Sequence, residues 1–311
     1  MSTHMRRRLL LGLAASLSTG WSQAGPLLDR LRERREGTGT GSPAGKTTGQ
    51  PQAADLAYGT EVEQTLDVYR PQNPLAGTLA PIILMVHGGG WKHGDKTMGR
   101  VVDAKVERWV KRGFVFVSIN YRMLPEAGPD VQLQDVARAL AFVQDQAASW
   151  GGDPARVILM GHSAGAHLVS LLTVSPFDSF SPRPRPVLGT VSLDSAAMDV
   201  EQVMNHKHYR LYDEPFGTDP AYWRRMSPAH VLAPGSAPIL AVYSTRREDS
   251  VQQTRQFAAK AQAQGLRVAT LGQDLSHGEI NSQLGLDSDY TRQVEAFMAS
   301  LDPKKVAHML R

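Results

Sequence analysis

Between residues 56 and 301, short runs of apolar and often β-branched residues alternate with longer stretches whose apolar positions recur every three or four residues. The runs Thr65–Tyr69, Ile82–Val86, Phe114–Ile119, Val157–Met160, Val187–Leu193, Ile239–Tyr243 and Arg267–Leu271 predict strands. Most are apolar throughout rather than alternating. Such strands are covered on both faces, which is the habit of a parallel sheet. The stretches Met98–Lys111, Gln132–Ala148, Ala164–Thr173, Ser250–Gln264 and Tyr290–Leu301 predict helices, two of them followed by Gly113 and Gly265. Strand and helix in turn over about 250 residues predict one doubly wound, mostly parallel α/β domain, with any site at the carboxyl ends of the strands.

Outside that block the pattern fails. The run from Glu36 to Asp55 is built from Gly, Thr, Ser, Pro and Ala with hardly a large apolar residue. It has nothing to bury, so residues 25–55 are expected to be a flexible linker, and 302–311 a C-terminal tail. Residues 1–24 combine the basic Arg6, Arg7 and Arg8, the apolar stretch Leu9–Leu17 and the small residues Ser22-Gln23-Ala24. That is the order of a cleaved signal peptide, and the apolar stretch is too short to span a bilayer. A secreted or periplasmic location is therefore expected; the paired arginines leave Sec and twin-arginine export both open.

Charge and composition narrow the chemistry. The chain of 311 residues carries a net charge of +4, but residues 1–36 hold seven Arg against three acids, which leaves 27 bases against 27 acids in the rest. A nucleic-acid binder needs its positive field on a folded face, so nucleic acid is not expected as a partner. The absence of Cys removes disulfides, thiolate metal sites and a cysteine nucleophile.

Two clusters at predicted strand ends could carry a reaction. Gly161-His162-Ser163-Ala164-Gly165 follows one strand directly and opens a helix, the strand–turn–helix setting of a Gly-x-Ser-x-Gly nucleophile elbow centred on Ser163. His87-Gly88-Gly89-Gly90-Trp91 follows another, and three glycines there let backbone N–H groups turn toward a ligand. With the N–H of Ala164, those of Gly89 and Gly90 would form an oxyanion hole. A phosphate loop is the rival, but no GxGxxG or GK[ST] follows.

These two motifs and the later Asp-Leu-Ser-His-Gly-Glu-Ile-Asn, residues 274–281, resemble the α/β-hydrolase carboxylesterases of the hormone-sensitive-lipase and kynurenine-formamidase-like groups. Three separated motifs occur in the order of those groups, over roughly residues 56–301. The resemblance implies an α/β-hydrolase fold and a triad in the order Ser, acid, His. It makes His277 the general base and Asp249, 28 residues earlier, the acid. Glu248 and Asp194 are rivals for the acid: Glu248 is adjacent, and Asp194 ends the strand before and keeps the order, though as a strand-end cap it needs no catalytic role. Asp274 reads as a turn residue. Among the other histidines, His167 reads as packing, His162 fills a variable place in the motif, and His206 with His208 lack a third ligand for a metal.

The aromatic-rich segment 195–235, with Tyr209, Tyr212, Phe216, Tyr222 and Trp223, could wall an acyl pocket, although several of these residues could simply be core. The expectation is a serine hydrolase acting on short-chain carboxylic esters through an acyl-enzyme, without cofactor or metal. An amidase, formamidase or small peptidase on the same triad, or a non-catalytic binding protein on the same fold, are the alternatives.

Overall fold

In a computed structural model of the chain, residues 49–72 and 78–311 are described. The expected signal peptide and most of the expected linker lie outside the described residues. The expected strands and helices all form, with ends displaced by a few residues at most apart from the fifth strand, which starts earlier. In chain order the strands are β1 (Ala53–Ala57), β2 (Thr65–Tyr69), β3 (Ala80–Val86), β4 (Val115–Ile119), β5 (Gly152–His162), β6 (Gly189–Leu193), β7 (Ile239–Ser244) and β8 (Val268–Gln273). The helices used below are α1 (Gly99–Lys111), α2 (Pro129–Gln146), α3 (Ala164–Val174), then the short α4 (Val200–Asn205), α5 (Asp213–Phe216) and α6 (Pro220–Arg225). They are followed by α7 (Glu248–Ala263), α8 (His277–Ser282), α9 (Asp289–Leu301) and α10 (Val306–Met309).

The eight strands form one sheet in the order β1-β2-β4-β3-β5-β6-β7-β8. From β4 to β8 every pairing is parallel, while β2 runs antiparallel to both β1 and β4. Alternate residues along β3 explain its unbroken apolar run. Ile82, Leu84 and Val86 enter one buried cluster with residues of α2 and α3, whereas Ile83 and Met85 enter another with residues of α1 and α9. Both faces are thus covered, as parallel strands require.

Two expected boundaries are corrected. The composition extends the linker to residue 55, but β1 begins at Ala53, and the Gln52 N–H already donates to the Val68 carbonyl at 2.9 Å. An edge strand with few buried positions carries no apolar signature, which is why this one is invisible in the hydrophobic pattern. The segment after 301 is not a loose tail, because α10 inserts the fully buried Val306 into the core. Among the described residues no helix is long and apolar enough to cross a membrane.

Candidate active site

The turn between β5 and α3 is held by contacts that leave no room for side chains at its flanks. A Cβ on Gly161 would lie 2.4 Å from the Gly165 carbonyl oxygen, and one on Gly165 would lie 2.3 Å from that of Val86. Both positions need glycine because backbone passes where a side chain would stand. Between them Ser163 adopts φ 56° and ψ −117°, a strained conformation for a non-glycine residue. Its N–H donates to the Leu193 carbonyl at 2.9 Å, so the elbow is fastened to the end of the neighbouring strand β6. Strain held by such surroundings is the mark of an elbow that lifts a hydroxyl above the sheet.

The glycine loop after β3 lies against this serine: a Cβ on Gly88 would be only 2.8 Å from the Ser163 Cβ. Gly89 (φ 129°) and Gly90 (φ 64°) then turn the loop through conformations that L side chains rarely adopt. Ala164 opens α3, where a helix's first N–H groups have no intrahelical partner. All three expected oxyanion donors therefore belong to segments that meet at Ser163.

His277 stands at the first position of α8. The Ser276 side chain accepts from the Glu279 N–H, and the Glu279 carboxylate accepts from the Ser276 N–H, a capping box that fixes where the helix starts. From the elbow side, the His162 Nε2–H donates to the His277 carbonyl at 2.9 Å, and the two imidazole rings lie 4.4 Å apart. Burial lowers the His162 pKa well below its ordinary value, so this ring is neutral. His162, which merely fills a variable place in the motif by sequence, thus ties the elbow to the start of α8.

The carboxylate that meets His277 is Asp194, not Asp249. Asp194 Oδ2 lies 2.6 Å from His277 Nδ1, while Oδ1 accepts from the Ser244 N–H at 2.9 Å and from the Ser250 hydroxyl. Its side chain is fully buried, and φ of 56° lets it turn from the end of β6 toward the end of β7. Burial by itself would raise this carboxyl. The Arg247 guanidinium, followed by the His277 hydrogen bond, overcomes that cost and holds Asp194 far below the usual carboxylate range. Asp194 is ionised.

Asp249 lies in the first turn of α7, where it accepts the Ser250 N–H and pairs with Arg247 Nη2 at 3.1 Å. The Arg247 guanidinium stands between it and His277, with Nη2 on Asp249 and Nη1 on the ring. Glu248 is exposed and Asp274 forms a surface ion pair with Arg246. The sequence did hold a signal for Asp194: an acid directly ending the strand beside the elbow strand, in the order Ser, acid, His.

Of the other histidines weighed in the sequence, only His167 lies in the core. His167 is buried, accepts from the Trp91 indole N–H at Nδ1 (3.2 Å) and donates from Nε2 to the Met226 carbonyl (2.7 Å). Burial lowers its pKa to about 4. His206 and His208 belong to an exposed segment, and among the described residues no group of three or more His, Cys, Asp or Glu is placed to hold a metal. Two residues of the aromatic segment pack on Trp91 of the glycine loop, with ring centroids at 4.9 Å to Phe216 and 5.8 Å to Tyr212. Trp223, a candidate for either wall or core, is buried and donates its indole N–H to the Phe216 carbonyl at 3.0 Å, and the Tyr222 hydroxyl is tied to Asp130 at 3.0 Å.

Comparison with known proteins places the chain in a family. The BD-FAE family model matches residues 66–260. The chain is 34% identical over 164 residues to the esterase LipQ of Mycobacterium tuberculosis, covering 52% of this chain and 36% of that one. It is 37% identical over 134 residues to the probable carboxylic ester hydrolase LipM of the same organism, covering 42% and 30%. The chain thus spans about a third of the length of these curated relatives. Among solved structures, esterase B from Lactobacillus rhamnosis superposes with a TM-score of 0.69 at 18% identity, covering 92% of this chain and 95% of that one. The apo form of Thermogutta terrifontis esterase 2 gives 0.66 at 20% identity, covering 82% and 97%. Both have the α/β-hydrolase fold, and so has this chain.

Proposed function

The chain belongs to the BD-FAE family, and from that premise we propose that it is a serine carboxylesterase whose triad is Ser163, His277 and Asp194. The observation that carries the reading is the buried, ionised Asp194, 2.6 Å from His277 Nδ1, beside a strained serine at the head of a helix. Asp194 accepts the Nδ1 proton and so leaves the lone pair of neutral His277 on Nε2. Nε2 takes the Ser163 proton as Oγ attacks the ester carbonyl, and Asp194 stabilises the imidazolium that results. The N–H groups of Gly89, Gly90 and Ala164 bind the oxyanion. Collapse of the tetrahedral intermediate expels the alcohol with the proton returned from His277, and water repeats the sequence on the acyl-enzyme.

Short-chain esters are the substrates this reading favours. Tyr212 and Phe216 of the aromatic segment pack on Trp91 of the glycine loop, and Thermogutta esterase 2 has been solved with propionate and with butyrate bound. The leader supports a secreted or periplasmic location. A p-nitrophenyl ester series from acetyl to palmitoyl, with Ser163→Ala as the blank, tests the proposal. The specificity constant is expected to rise to about butyryl or hexanoyl, each buried methylene contributing about 0.8 kcal/mol, and then to fall. A maximum at palmitoyl would overturn the length preference. No ester turnover alongside brisk formamide or peptide hydrolysis would make the protein an amidase.

A further inference from the structure

Arg247 brings a positive charge to the heart of this triad. Its guanidinium reaches in from the loop between β7 and α7, with Nη1 2.9 Å from Asp194 Oδ2 and 2.7 Å from His277 Nδ1, and Nη2 3.1 Å from Asp249 Oδ2. The side chain is only 22% exposed, so water screens it little.

Two consequences follow from that position. When Nδ1 carries a proton and donates to Asp194, it cannot also accept from Arg247. The opposite arrangement, with Arg247 donating into Nδ1, puts the proton of a neutral ring on Nε2 and removes the base. Arg247 therefore works through Asp194, which it anchors, while its charge opposes a second positive charge on the imidazole.

Resting on the serine-hydrolase reading, we propose that Arg247 is a positioning residue that anchors the Asp194 carboxylate under His277 and keeps His277 unprotonated further into acid than the Asp–His pair alone would. The other charged and titratable groups around the ring do not duplicate it. His162 from β5 is neutral, and Asp249 offsets Arg247 from its outer side. Lys105 of α1 bonds the carbonyl of Asn281 at the far part of α8, and the Tyr290 hydroxyl bonds that of Ile280. Glu279 of α8 is engaged by the capping box and by Arg246, which also holds Asp274. Tyr212, from the aromatic segment, is buried and stays un-ionised.

The test is the pH dependence of kcat/KM for p-nitrophenyl acetate, followed at a wavelength where product protonation does not matter. Arg247→Met is expected to move the acid limb up by about one pH unit. Arg247→Lys, which keeps the charge but loses the fork, is expected to lower kcat while leaving the limb within a few tenths of a unit of wild type. Asp249→Asn strips the counter-charge and is expected to move the limb down, the direction that a merely damaged site would not give. If Arg247→Met does not fold by circular dichroism, Asp249→Asn carries the test alone. Acid limbs of Arg247→Met and Asp249→Asn coincident with wild type, in enzymes that still turn over, would overturn the proposal. Wild-type turnover equal to that of Ser163→Ala would instead overturn the hydrolase reading beneath it.

Discussion

Asp194→Asn should lower kcat on the order of a thousand- to ten-thousandfold, because an amide can hold the imidazole in the wrong tautomer and cannot stabilise the imidazolium. Asp249→Asn, one guanidinium further out, should cost less than about tenfold near neutral pH. Steady-state kinetics on the two purified variants separates them, and the reverse ranking would return the acid to Asp249. Ser163 stands out in the sequence because the elbow motif fixes its local geometry, and His277 because it falls in a motif shared with the family that the chain resembles. Which acid meets His277 is not legible, since that depends on which of two carboxylates 55 residues apart reaches a histidine still further along the chain. What decides it is a left-handed φ at Asp194 and a helical turn at Asp249. Neither is written in an apolar period. Reading Asp194 as a cap was half right, for its Oδ1 does accept the Ser244 N–H, while Oδ2 remains for the ring.

The elements that present the triad were mostly readable from periodicity, because β3 to β7 are covered on both faces and announce themselves as apolar runs. The short α8 was not, although it carries His277. Six residues give too little period to see, and what starts it is a capping box rather than a hydrophobic face. Its other end is tied by Lys105, a buried lysine of α1 whose Nζ donates to the Asn281 carbonyl at 2.6 Å and to that of Arg100 at 3.2 Å. Burial lowers the Lys105 pKa to about 7, against a small opposing pull from Asp103. In the unfolded chain the same amine titrates near 10.4. Between those values the unfolded state binds the extra proton, so stability from this residue grows as pH rises from about 7 toward 10 and is lost as pH falls back through 7. Melting curves across that range should therefore rise more steeply for wild type than for Lys105→Met. Parallel curves would mean that Lys105 keeps its proton in the folded protein throughout.

At the scale of the whole molecule, the segment ahead of the domain can be cut in three places. The leader reading expects the mature chain to begin near Gly25. N-terminal sequencing of protein from the producing cell decides this, and abundant cytosolic protein still bearing Met1 or Met5 would refute export. A chain beginning at Gly49 keeps β1 and should match the mature protein in both melting temperature and kcat/KM. A chain beginning at Gly59 loses β1 and with it the strand that covers β2, the ion pair of Asp55 with the buried Lys96, and the Tyr58 hydroxyl bond to the Asn120 carbonyl. Losing an edge strand and a buried tyrosine should cost a few kcal/mol, which in a domain of this size lowers the melting temperature by on the order of 5–10 °C. The proposed triad stands at the ends of β5 and β6 and on the segment beyond β8, with three strands between its nearest member and β1. Below the lowered transition, turnover per folded molecule should therefore stay close to wild type. A chain beginning at Gly59 that melts with the mature protein would make β1 an ornament on the fold. One that stays folded but loses turnover would show that the edge of the sheet reaches the active site.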